Sequence, residues 1–231
     1  MSIRTLGRKI KFDATGNFAP LPRIYQCHEP ILWPANDRTK APDLASVAAF
    51  AKAAQGPIYI DADHLDWTVF GLPKKDQPVD EAWAAGVDRY GNTIADICQA
   101  ARDNTTDPII VYNRVGWGCT AARNVTMNRW WVAQSLPTAQ IDLTLRRNAR
   151  LRDSFDYVAW SMYWSWLGGG NVELGASMSA ADAYKFTMDF IIEQASTWGK
   201  PMLVFTMGDE PPEIKTIISH ERRVKWAYFK T

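Results

Sequence analysis

Between Pro57 and Trp67 the chain reads PIYIDADHLDW, which sets Asp61, Asp63, His64 and Asp66 directly behind the apolar run Ile58-Tyr59-Ile60. Strand alternation puts Tyr59, Asp61 and Asp63 on one face and Ile58, Ile60 and Ala62 on the other. A strand buried on both faces that displays carboxylates at its C-terminal end is the pattern of an active-site rim in a parallel α/β protein. The plainer role for the same acids is to cap and solubilise a βα loop. More acids, Asp209 and Glu210, follow the apolar run KPMLVFTM. Two opposed carboxylates flanked by aromatic rings are the minimum for cleaving a glycosidic bond. One delivers a proton to the leaving oxygen while the other, ionised, attacks the sugar or activates water. On that chemistry the candidate catalytic residues are Asp61, Asp63 and Glu210. Glu210, ahead of Pro211 and Pro212, is the candidate acid, and Asp63 the candidate nucleophile or base. A cysteine–histidine pair such as Cys27 with His64 is a weaker candidate nucleophile. There is no GxSxG and no supporting motif around any of the three histidines.

The elements that would position these acids alternate along the chain. Arg23–Cys27 reads as a strand ending at His28 and Glu29. Asp43 caps an alanine-rich helix that Gly56 and Pro57 stop. The strand before Asp61 follows. A long helix over about Val79–Asp103 then carries Val87, Tyr90, Ile94, Ile97, Cys98 and Ala101 at helical spacing. Pro108–Asn113 is a strand ending in Asn113 and Arg114, with Gly116-Trp117-Gly118 as a turn. Two helices are expected over Arg123–Leu136 and Thr138–Arg152; the second carries Arg146, Arg147, Arg150 and Arg152, which read as a solvated face before a phosphate site. Asp156–Tyr163 is the next strand, with Trp164 and Trp166 beyond it. Ser179 and Asp182 form a capping signature for a helix closing at Gly199. Lys200–Met207 is a fifth strand, and a short helix near Ile214–Ser219 and a strand over Val224–Phe229 complete the pattern.

Strands alternating with helices call for a parallel sheet with right-handed crossovers. No strand end carries GxGxxG or GxxxxGK[ST], which argues against an open nucleotide-binding sheet. The expected fold is therefore α/β, a TIM-like (β/α) barrel, irregular or incomplete because five or six strands are legible where eight are standard. Hidden strands would lie in residues 1–22 or 122–152. Residues 1–22 read as an N-terminal arm, and 23–231 as a single barrel-like domain.

Collecting the strand ends of a barrel on one rim adds His64, Trp67, Asn113, Trp117, Tyr163, Trp164 and Asp209 as candidate substrate-binding residues. For any one tryptophan, packing between barrel and helix is the commoner role. The chain of 231 residues holds 11 tryptophans, high usage for a sequence that is otherwise ordinary at 47% hydrophobic and 22% charged. A net charge of +1 gives no signature of nucleic acid or an anionic membrane. Three cysteines without a CxxC read as reduced thiols, with no structural zinc. A metal-dependent site from His28, Asp61, Asp63 and His64 lacks an HxH or HExxH motif. No cofactor and no metal are expected. The basic N-terminus has no apolar core of a signal peptide, so a cytoplasmic place or a place in a larger particle is expected.

The succession PIYIDADHLDW, PIIVYN, DYVAWSMYW and KPMLVFTMGDE resembles the strand series of glycoside-hydrolase-type TIM barrels, over about residues 23–210. The resemblance implies hydrolysis of a polysaccharide or glycan by paired acids, with Asp61 and Asp63 matching the acids that end an early strand. Asn113 is followed by Arg114, where the largest glycosidase clan has Asn-Glu, and the chain is short for a full catalytic barrel. Those departures favour the competing expectation: a non-catalytic carbohydrate-binding or structural component of a larger assembly, such as a virion or a homo-oligomer.

Overall fold

The computed structural model describes residues 5–6, 11–13, 18–20, 24–33, 37, 40–61, 80–112, 145–161, 179, 181–182, 184–185, 188–189, 192, 196, 198–206, 210–221 and 223–228. Three short strands come first: β1 (Thr5–Leu6), β2 (Lys11–Asp13) and β3 (Phe18–Pro20). Strands and helices then alternate as β4 (Ile24–Cys27), α1 (Glu29–Leu32), α2 (Leu44–Ala53), β5 (Ile58–Ile60), α3 (Glu81–Arg102) and β6 (Ile109–Tyr112). They continue with α4 (Ala149–Ser154), β7 (Tyr157–Ser161), β8 (Met202–Thr206), α5 (Pro212–His220) and β9 (Lys225–Tyr228).

Local chemistry sets the helix boundaries. Asp43 accepts from the backbone N–H groups of Ala45 and Ser46 at 3.0 and 3.1 Å, and so starts α2. Asp80 does the same for α3 through Trp83 N–H at 2.9 Å. Ser179 Oγ accepts from Asp182 N–H at 3.1 Å and donates to its carboxylate at 2.6 Å. The described residues between 181 and 196 are helical, and Gly199 at φ 64° follows in the left-handed conformation that glycine adopts without steric cost. The expected single helix over Thr138–Arg152 is corrected at Asn148. Its backbone is extended there, and its side chain accepts from Leu151 N–H at 3.0 Å, so it opens α4. Arg123–Leu136 lies outside the described residues.

The sheet order is β1-β4-β5-β6-β7-β8-β9-β2-β3. Five successive parallel pairings run from β4 to β9. At the edges, β1 pairs antiparallel with β4 and β2 with β9, and β3 pairs antiparallel with β2. One sheet face carries Cys27, Ile58, Ile60, Ile109, Val111, Val158, Trp160, Met202 and Val204, packed against Val47, Phe50, Val87, Ile94, Ile97, Ile214 and Ile218 of the helices. The other face buries Ile24, Tyr59, Ile110, Ala159, Leu203 and Phe205 in an interior of its own. Asp156 pins β6 to β7 at their N-terminal ends, accepting from Ile109 N–H at 2.8 Å and from the Arg102 guanidinium.

Two distances demand that this sheet curl. The rings of Tyr59 on β5 and Phe205 on β8 lie 4.9 Å apart, yet three strand spacings would separate those strands by about 14 Å in a flat sheet. Leu6 and Lys11 are joined by four residues, a reach of about 17 Å, while their strands would stand about 34 Å apart if flat. The result is an α/β fold built on a curled, parallel half-barrel sheet with helices on its convex side. A TIM barrel closes by pairing its first strand with its eighth in parallel. Here both ends of the parallel run are instead covered by antiparallel strands from residues 1–22, and no pairing joins β1 to β3 among the described residues.

Candidate functional site

Parallel strands deliver their C-terminal ends to one edge of the sheet, and loops at that edge carry most chemistry in such folds. Asp61 prolongs β5 by one residue. Its N–H donates to Cys27 O at 2.9 Å, and alternation sets it on the concave face with Tyr59. From neighbouring β4, Gln26 stands in register with Tyr59, and its side-chain amide donates to Asp61 Oδ2 at 2.5 Å. His28, just beyond β4, places Nδ1 3.3 Å from Gln26 O. Glu210 follows β8 and precedes Pro211 and α5, and it is 1% exposed. The Tyr59–Phe205 contact brings the concave faces of β5 and β8 against each other, two residues before Asp61 and five before Glu210. Thr206, the last residue of β8, is fully buried, and its hydroxyl has no hydrogen-bond partner among the described residues.

Of the sequence-derived candidates, Asp61 directly prolongs β5, and Glu210 comes four residues after the C-terminal end of β8, just before α5. Asp63, His64, Trp67, Asn113, Trp117, Tyr163, Trp164 and Asp209 lie outside the described residues. Comparison of the chain with family models, with curated proteins and with solved structures finds no match. The site therefore rests on its own geometry.

The cysteine–histidine alternative is corrected by burial. Cys27 belongs to the helix-side core, on the face opposite Asp61. Burial above all, with Cys98 and Asp61 nearby, pushes its thiol far above the ordinary range, so it lacks the thiolate that nucleophilic attack needs. Arg150 pairs with Asp96 of α3, and Arg152 contacts Asp153 at 3.3 Å. Both are exposed, as a solvated face requires. Among the described residues no group of three or more His, Cys, Asp or Glu is placed to hold a metal ion, and no helix is long and apolar enough to cross a membrane.

Gln26 was not singled out by its sequence. The available signal was its position: in RIYQC it is the polar residue that alternates with Ile24 on the concave face, one strand away from Asp61.

Proposed function

We propose that this protein is a glycoside hydrolase, cleaving a polysaccharide or glycan with paired carboxylates at the mouth of its half-barrel. The observation that carries the reading is the ring contact between Tyr59 and Phe205. It joins β5, which Asp61 prolongs, to β8, whose last residue Thr206 precedes Glu210 by four positions, across a sheet interval that would otherwise hold the two strands apart. Glu210, withdrawn from water, is the general acid that protonates the leaving oxygen. Asp61, which receives an amide N–H from Gln26, is suited to stay ionised and to serve as base or nucleophile. Asp63 is the second candidate for that role. Carbohydrate is the partner, with Trp67, Trp117 and Trp164, which the sequence pattern sets after strand ends, as sugar platforms.

One observation favours the non-catalytic reading, a carbohydrate-binding or structural component of a larger assembly. Among the described residues the concave side is packed with Ile24, Tyr59, Ile110, Leu203 and Phe205, which directs a ligand to the mouth. A glycan-hydrolysis screen of the wild type beside Asp61→Asn, Asp63→Asn and Glu210→Gln separates the two. Hydrolysis predicts wild-type turnover that falls by about 10²–10⁴-fold in Glu210→Gln and in one of the aspartate variants. Glycan binding without turnover in all four proteins would leave the binding reading in place.

A further inference from the structure

We infer that Gln26 is the positioning residue of the mouth, an amide donor that holds the Asp61 carboxylate in one orientation. The contact stands on geometry alone; only what the held carboxylate then does rests on the glycosidase reading.

Gln26 sits inside a strand, half-buried, on the face where its lateral neighbour Tyr59 is 3% exposed. A polar side chain at such a position is costly unless it is hydrogen-bonded. Its amide N–H meets the carboxylate one residue past the end of the adjacent strand. Asp61 is therefore tied to β4 twice, through its own N–H to Cys27 O and through Oδ2 to Gln26. Main chain and side chain are anchored to the same strand, which leaves the carboxylate little rotational freedom. On the far side, His28 Nδ1 lies 3.3 Å from the Gln26 carbonyl and steadies the end of β4. A lysine or arginine at position 26 would also reach the carboxylate, but would neutralise it. An amide orients the group and leaves its negative charge available to water or a sugar.

The test is a carboxyl ¹³C NMR titration of the full chain, with the Asp61 resonance assigned by its disappearance in Asp61→Asn. Gln26→Met removes the donor at nearly constant volume. The Asp61 midpoint is expected to rise by about one pH unit relative to wild type, while that of Asp43, on a different element, stays in place. If Gln26→Met does not fold, Gln26→Glu keeps the length and polarity of the side chain and should raise the midpoint further by like-charge repulsion. An Asp61 midpoint unchanged in the folded variant overturns the inference. Turnover is not read, so a failed glycosidase reading leaves a shifted midpoint standing. An unchanged midpoint likewise leaves the glycosidase reading intact without its positioning residue.

Discussion

Cys27 and Cys98 are buried side chains of the helix-side core whose sulfurs the proposed mechanism does not use. Burial is the main cause that pushes both thiols up, Cys98 to about 12 from an ordinary 9.0. An unfolded thiol ionises near that ordinary value. Above it the unfolded state binds fewer protons than the folded one, so this contribution to stability is present below about pH 9 and is lost as pH rises. The expected outcome is a urea midpoint that falls between pH 8 and pH 10.5 more steeply for wild type than for Cys27→Ala. Equal slopes would contradict it. In a Cys119→Ser background neither thiol should react with a disulfide reagent under native conditions. At this scale the sequence was informative where a residue acts on its own neighbours. Asp43 and the Ser179–Asp182 pair cap helices as their spacing predicts, because a cap needs only the next three residues. Gln26 was illegible because its partner is 35 positions away, and only the sheet register joins them.

The strands were legible as elements. β5, β6, β7 and β8 fall within apolar runs bounded by loop residues, as strands in the middle of a parallel sheet do, while Gln26 in β4 and Lys225 in β9 interrupt the runs at its two ends. The edge strands β1 to β3 were legible only as a possible location, since two- and three-residue strands carry no period and form by borrowing the edges of β4 and β9. The break at Asn148 is hidden for a different reason: its cap partner, the Leu151 N–H, is only three positions on, but the arginine-rich surroundings suit a helix throughout. The same asparagine also lies in the contact of α4 with α3, where its amide donates to Asn92 at 3.3 Å. That contact supplies a prediction. A Cβ added at Gly91 of α3 would stand 3.0 Å from Leu145 Cδ2 and 3.1 Å from Asn148 Nδ2. Gly91→Val should therefore lower stability by about 2 kcal/mol through overpacking. Gly91→Ala should cost much less, since about 1 kcal/mol of helix propensity offsets the crowding. Denaturant midpoints of the two variants check this, and equal losses would show that the close approach does not matter.

For the whole molecule, curvature is what brings the concave faces of β5 and β8 together. The sequence indicated a parallel α/β sheet, but not how far it closes, because strand order and edge pairing depend on contacts between distant residues. The curl makes Tyr59 and Phe205 neighbours, so their energies should couple. A double-mutant cycle on Tyr59→Ala and Phe205→Ala should return an interaction of about 0.5–1.5 kcal/mol, where residues on well-separated strands of a flat sheet would return none. Whether the mouth is also a catalytic site is tested most directly by a crystal structure of Glu210→Gln with a bound oligosaccharide. The expected result is a scissile oxygen between the amide introduced at position 210 and an ionised aspartate, Asp61 or Asp63, the two side-chain ends roughly 5–10 Å apart. A sugar bound away from the C-terminal edge of β5 and β8, or side-chain ends well beyond that separation, would contradict it.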